Sequence, residues 1–277
     1  MALEKGIRLG TTTLENLKKS GRLEAALRDY EWFYLGPEFC ENLISGSVCE
    51  EAAWLQARGK KICLLTPMLS EKGIGLLGTV FKKILNLARR GHIAPGRFEI
   101  TLNDFGALEL AKRLRLPFRL SAGRLLCGNF LEVNIFGNNI YLHNRLALKS
   151  FSGLGIKRYE LSTTGAGRNN FCEANLSCLG PGLRRLKCTL YYPYMNLTST
   201  RTCLVGMPPV SPEKSVDGVL CGQECRICSF EMNHPWIKEK LIVRGNTVFL
   251  DFPEKFYASE KDLLKLNADR LIYCPFP

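Results

Sequence analysis

Short apolar runs bounded by turn residues recur along the chain, and stretches with apolar residues at helical spacing lie between several of them. The runs at 7–11 (IRLGT), 32–36 (WFYLG), 61–66 (KICLLT), 97–102 (RFEITL), 117–121 (PFRLS), 158–162 (RYELS), 186–192 (LKCTLYY) and 270–274 (RLIYC) predict strands. Helices are predicted over 14–30, 79–91 and 105–115. Strands alternating with helices favour an α/β fold, a parallel (β/α)8 TIM-barrel-like single domain over 1–277, ahead of a doubly wound open sheet. Around 203–252 the alternation breaks into a cysteine-bearing loop and then LIVRGNTVFLDF, whose RGN reads as a hairpin turn. This stretch is expected to be an excursion from the barrel, with the last strand returning near 270.

Barrel enzymes build their sites from loops at the C-terminal ends of strands. Thr11–Thr13 follow the first predicted strand, Cys40 the second and Asn103-Asp104 the fourth. Ser121 and Gly123 end the fifth, and Glu160, Ser162 and Thr163 the sixth. The seventh opens into YYPYMNLTSTRTC.

The 277 residues, 46% of them hydrophobic, suffice for one large core, and no low-complexity or Pro/Ser/Gly-rich segment divides them. The start, MALEKGIRLGTTT, lacks the apolar run of a signal peptide, and no stretch reaches the roughly 20 apolar residues of a membrane span, so a cytoplasmic protein is expected. The net charge of +12 permits a nucleic acid or another anionic partner. The basic pairs 18–19, 60–61, 82–83, 89–90 and 184–185 are dispersed, however, and most fall on predicted helices or helix ends, where solvated faces account for them.

Twelve cysteines in a cytosolic chain point to metal or redox chemistry rather than to disulfides. Cys63, Cys188 and Cys274 sit in apolar strand-like runs, where a thiol behaves as a small hydrophobe. Cys203, Cys221, Cys225 and Cys228 differ: they are spaced C-x17-C-x3-C-x2-C and the last three lie among Gly, Gln, Glu and Arg. Thiolates are soft ligands for zinc or an iron–sulfur cluster, and the spacing alone suits either. Cys40 favours the cluster, because in a barrel it would face the side that carries the cysteine loop.

Other motifs are weaker. GIGLLG at 73–78 matches G-x-G-x-x-G, but PMLSEK separates it from the preceding strand and no carboxylate ends the next one, so a rim loop is expected in place of a dinucleotide site. TTGAGRNN at 163–170 suits either an anion cradle or a plain loop. No Ser/His/Asp or H-E-x-x-H arrangement offers hydrolase machinery.

Taken together, FYLGPEFC, TLNDFGALELAKRLRLPFRLSAG, YELS and YPYMNLTSTRTC followed by CGQEC resemble the collagenase-like peptidase family U thirty-two, above all its short UbiV-type members. The resemblance implies a barrel-like fold and a [4Fe–4S] cluster held by Cys40, Cys203, Cys221 and Cys225, with Cys228 an alternative fourth ligand. It also implies oxygen-independent hydroxylation of a small aromatic, ubiquinone-type precursor, performed with a homologous UbiU-type partner as heterodimer. Relatives that hydroxylate a tRNA or rRNA base suggest an RNA substrate as alternative; a zinc-stabilised protease-like or binding module is the third reading. Asn103, Asp104, Glu160 and Arg201 are the polar candidates for a pocket lining, each with rim hydrogen bonding or ion pairing as the competing role.

Overall fold

A computed structural model describes residues 3–10, 12, 14–128, 131–134, 139–142, 145–162, 186–206, 221–251 and 268–277. Eight parallel strands close into a barrel: β1 (Glu4–Gly10), β2 (Trp32–Leu35), β3 (Lys61–Leu65), β4 (Phe98–Leu102), β5 (Arg119–Ala122), β8 (Arg158–Ser162), β9 (Lys187–Tyr192) and β14 (Ala268–Tyr273), in that order around the ring. Each predicted strand is present, and the fold is a (β/α)8 barrel. The hairpin β6 (Leu131–Asn134) and β7 (Asn139–Leu142) intervenes between β5 and β8. The loop at 163–170 and the cysteines at 172 and 178 lie outside the described residues.

Helices depart further from expectation. The stretch 14–30 forms two helices, α1 (Leu14–Lys19) and α2 (Leu23–Asp29). Gly21, at φ +69°, ends the first: its N–H donates to the Lys18 carbonyl while the Arg22 N–H donates to Leu17, the paired bonds of a Schellman cap. Helix α3 (Ser47–Ala57) is an addition; it buries Val48, Cys49, Ala52, Leu55 and Gln56, a helical spacing that small and polar side chains disguise. Helix α4 (Glu71–Arg89) starts well before 79, so the glycines at 73–78 are helical and form no rim loop. Ser70 caps it by accepting from the Gly73 N–H, and Glu41 in turn accepts from the Ser70 N–H and hydroxyl, both at 2.6 Å. A Cβ on Gly73 would collide with the Glu41 carboxylate. Helices α5 (Phe105–Arg113), α6 (Arg124–Gly128) and α7 (Arg145–Gly153) complete the set among the described residues.

Alternation along the strands sorts the core into two regions. Phe33, Leu35, Ile62, Leu64, Phe98, Ile100 and Leu102 pack outward with the helices' apolar faces. The inward set mixes aromatic with charged side chains. Arg270, 1% exposed, donates to Glu99 at 2.7 Å, to Glu4 at 3.0 Å and to the Tyr34 hydroxyl at 2.8 Å, with its guanidinium 3.4 Å from the Trp32 ring centroid. Arg158 bridges Asp269 and the Thr189 hydroxyl beside it.

Four antiparallel strands, β10 (Tyr194–Ser199), β11 (Phe230–His234), β12 (Ile237–Arg244) and β13 (Thr247–Asp251), form a second sheet in the order β10-β13-β12-β11. It begins at Tyr194, earlier than the expected 203, because Pro193 has no N–H to continue the barrel ladder and divides the apolar run. The RGN hairpin is confirmed: Arg244 pairs with Thr247 across Gly245-Asn246, and Gly245 has φ +62°.

Replacing Arg270 with Met removes the 2.7 Å partner of buried Glu99 and leaves only the more distant Arg158 and Arg119, at 3.7 and 3.9 Å. The Arg270→Met variant is expected to lose about 3–5 kcal/mol in urea unfolding; a loss of about 1 kcal/mol or less, the scale of an exposed pair, would contradict this account of the lumen.

Candidate metal centre

At the C-terminal end of the barrel, the segment after β2 turns through Gly36 and Pro37 into Glu38, Phe39 and Cys40. Glu38 is 1% exposed, yet it is a carboxylate. Arg124, at the start of α6, grips it through two bonds of 2.7 and 2.6 Å, and Arg8 of β1 lies 2.9 Å from it, outside hydrogen-bond alignment. Burial opposes the charge, but Arg124 and then Arg8 outweigh it and hold the carboxyl below the usual carboxylate range. Arg124 also donates to the Ser162 hydroxyl and the Tyr194 carbonyl, tying β8 and the second sheet to the same point.

The Gly245-Asn246 turn gathers the cysteine-bearing segments. Asn246 donates to the Phe39 carbonyl at 2.8 Å, next to Cys40, and to the Thr200 carbonyl at 2.6 Å. The Leu204 N–H, next to Cys203, donates to Gly245 at 2.7 Å. Arg244 donates to the Cys225 carbonyl at 3.0 Å, and a Cβ on Gly245 would sit 3.5 Å from the Cys225 sulfur. Gln223 donates to the Asn42 carbonyl at 2.9 Å, joining the Cys221–Cys225 loop to the Cys40 loop.

The segments that carry Cys40, Cys203, Cys221 and Cys225 are thereby neighbours. Burial pushes the Cys40 thiol up to about 11, the Asn42 N–H works against it, and the neighbouring Cys225, Cys221 and Cys203 add to the rise. Cys225 is raised by burial, then by Cys203 and Cys221. Cys221 and Cys228 are both exposed, but Cys228 is not among the principal influences on either thiol. The Gly206 N–H points to the Cys203 sulfur at 3.3 Å. Among the described residues no three His, Cys, Asp or Glu side chains are close enough to grip one metal ion as placed. The proximity that links the four thiols is electrostatic and looser than a single-ion spacing.

A cavity of about 60 Å³ lies beside them, lined by Arg8, Phe39, Cys40, Cys225, Arg244 and Phe249 among others. A larger one, about 630 Å³, opens at the opposite end of the barrel among Arg119, Lys157, Arg158 and Lys187, away from the thiols.

The four polar candidates do not assemble around the thiols. Asn103 is buried, donating to the Thr66 carbonyl at 2.9 Å and accepting from the Leu125 N–H at 2.9 Å, and so joins β3, β4 and α6. Asp104 caps α5, accepting from the Gly106 N–H at 2.6 Å. Arg201 is exposed. Glu160 lies inside the barrel, accepting from Tyr191 at 2.5 Å, Thr101 at 2.7 Å and Ser121 at 3.1 Å. Burial pushes its carboxyl up to about 7 although the Tyr191 and Thr101 hydroxyls favour the ionised form. Arg8, Glu38, Arg244 and Asn246 are the residues that sequence reasoning passed over; the available signals were a carboxylate in the otherwise apolar FYLGPEFC and the RGN turn itself.

No family model and no curated protein matches the chain. Among solved structures, a GH10 endoxylanase retrieved from a sugarcane soil metagenome is similar at 14% identity, over 72% of this chain and 69% of that one, with a TM-score of 0.40. So slight a likeness bears on neither site nor activity.

Two outcomes are expected. The folded Glu160 carboxyl titrates above its unfolded counterpart, so the stability its proton confers is complete below pH ~4.3 and is lost as pH rises through about 7. Urea unfolding at pH 5 and pH 8 should therefore show a steeper loss for wild type than for Glu160→Gln, by on the order of 3 kcal/mol; parallel pH profiles would refute this. Asn246→Ala leaves the Phe39 and Thr200 carbonyls without their donor and should cost about 1–3 kcal/mol in the same assay.

Proposed function

We propose that this chain is a [4Fe–4S] protein of oxygen-independent hydroxylation, acting with a homologous partner on a small aromatic, ubiquinone-type precursor. The observation that carries the metal reading is the gathering of the Cys40, Cys203 and Cys225 segments by one turn, with the Cys221 loop joined to the Cys40 loop by the Gln223–Asn42 bond. Soft thiolates suit iron–sulfur chemistry. A cluster assigns one iron to each ligand, so its thiolates stand further apart than those on one tetrahedral ion, in keeping with the looser grouping here. A thiol whose proton burial holds as firmly as that of Cys40 stays protonated in water at neutral pH and is deprotonated on binding a metal.

Bound there, a cluster would supply one-electron transfer at a potential set by its surroundings. The chain's own residues have simpler tasks. Cys40, Cys203, Cys221 and Cys225 would hold the cluster, the Gly206 N–H would donate to one sulfur, and the Glu38 clamp would fix the Cys40 segment. The adjoining cavity, about 60 Å³, is well below the ~150 Å³ that accepts a benzene ring, so an aromatic substrate needs a wall from outside the described residues. A partner could supply it. Every residue of the edge strand β11 is exposed, and Ile227 and Trp236 near it are 90% and 82% exposed, an apolar surface beside the cysteine loop. No helix among the described residues is long and apolar enough to cross a membrane.

Anaerobic purification or reconstitution, followed by iron, sulfide and zinc analysis, tests the reading. Wild type and Cys228→Ser should carry about four irons and four sulfides, while Cys40→Ser and Cys225→Ser should lose or destabilise the cluster. Colourless protein with one zinc, indifferent to Cys40→Ser, would make the cysteine loop a structural clip and defeat the proposal.

A further inference from the structure

Arg244 ends β12 at the turn that gathers the thiols, and it faces the same cavity as Cys40 and Cys225. Its Nε donates to the Cys225 carbonyl at 3.0 Å and its guanidinium lies 5.7 Å from the Phe276 ring centroid. The side chain is half-buried, and among the described residues no carboxylate pairs with it. The nearest buried acid, Glu38, is already shared by Arg8 and Arg124. Glu224 holds its carboxylate against Gly206 and Gly222 and forms no ion pair with Arg244 among the described residues.

A cation partly withdrawn from water without an anion is costly, and Arg244 is held in the cavity wall by its bond to the Cys225 carbonyl with Arg8, a like charge, in the same lining. Proteins avoid such an arrangement unless a counter-charge arrives. Of the side chains lining this cavity, Glu38 is already held by Arg8 and Arg124, while the thiols of Cys40 and Cys225 are able to become anionic and have no such cation of their own. Four thiolates around an iron–sulfur core bring net negative charge into the cavity, and Arg244 is tethered to a ligand's own backbone, where that charge would appear.

We infer that Arg244 is the counter-charge of the thiolate-held centre, a positioning residue that favours the cluster's reduced, more negative state and so raises its reduction potential. The inference rests on the cluster reading above and deepens it. It assigns to Arg244 a role that an exposed arginine on the same loop, such as Arg226, does not share, because water screens the latter. The link runs from charge and burial to redox behaviour, without a change in which residues bind iron.

The test uses the full chain, reconstituted anaerobically, with iron and sulfide content measured before a spectroscopic redox titration. Arg244→Gln should keep the iron and sulfide content of wild type and titrate at a more negative potential. Arg244→Lys, which keeps the charge, should return most of the shift, and Arg226→Gln, which removes one charge from the exposed face, should leave the potential where it was. A loaded Arg244→Gln protein with the wild-type potential, or equal shifts in both Gln variants, would overturn the inference while leaving the cluster reading intact. Wild-type protein that takes up no iron would defeat the cluster reading and this inference together.

Discussion

The arrangement of the thiols depends on a two-residue turn. Gly245, at φ +62°, lets β12 and β13 meet tightly, and the turn then has both a concave side for Cys225 and a carbonyl free to receive the Leu204 N–H. Asn246 directs one amide to two carbonyls, at Phe39 and Thr200, from segments more than 150 residues apart. Each of these bonds is modest alone, on the order of 1 kcal/mol. Their common origin is what matters: displacing the turn would disturb the Cys40, Cys203 and Cys225 segments together, because Cys40 and Cys203 lie in loops and Cys225 in a single 3-10 turn, Glu224–Arg226.

Beneath the turn, the Glu38 clamp performs the matching task for the barrel. A fully buried carboxylate is tolerable only when paired, and here two arginines, one from strand β1 and one from helix α6, converge on it. Arg124 stacks over the Tyr191 ring, 4.3 Å from its centroid, and over Phe39 at 5.2 Å, so charge and aromatic packing close the upper end of the lumen as one layer. The clamp thereby sets where Cys40 emerges from the barrel, and the turn sets what meets it.

The barrel itself was readable because each of its strands is a short apolar run bounded by Gly, Pro or polar residues, and helices separate most of them. Helix limits were less readable. Nothing in the apolar spacing of 14–30 marks the left-handed Gly21, and the glycines of α4 look like loop residues until Glu41 is seen against Gly73. Among the cysteines, spacing alone left Cys225 and Cys228 equivalent. The distinction arises in three dimensions, where Cys225 packs against the turn and Cys228, one short helical turn further, points into solvent. Asn103 and Asp104 were conspicuous as polar residues after a strand, but a strand end must also satisfy its own backbone and cap the following helix, and those demands use both side chains.

The interior of the barrel leaves little room for chemistry elsewhere. Arg270 and Trp32 fill its lower part, Tyr34, Tyr191 and Glu160 its middle, and the Glu38 clamp its top, so the lumen is packed with paired charges and rings rather than open to a ligand. The wide basic cavity at the N-terminal end is separated from the thiols by all three of these layers, and its Arg158 and Lys187 already face Asp269. Chemistry that used the thiols would therefore have to approach from the C-terminal face, past the second sheet and its exposed edge. Among the described residues, the cavity on that face is lined by soft sulfur, arginine and aromatic rings beside the paired Glu38, and these are the groups that the proposed cluster would use as ligands and as the surroundings that set its potential.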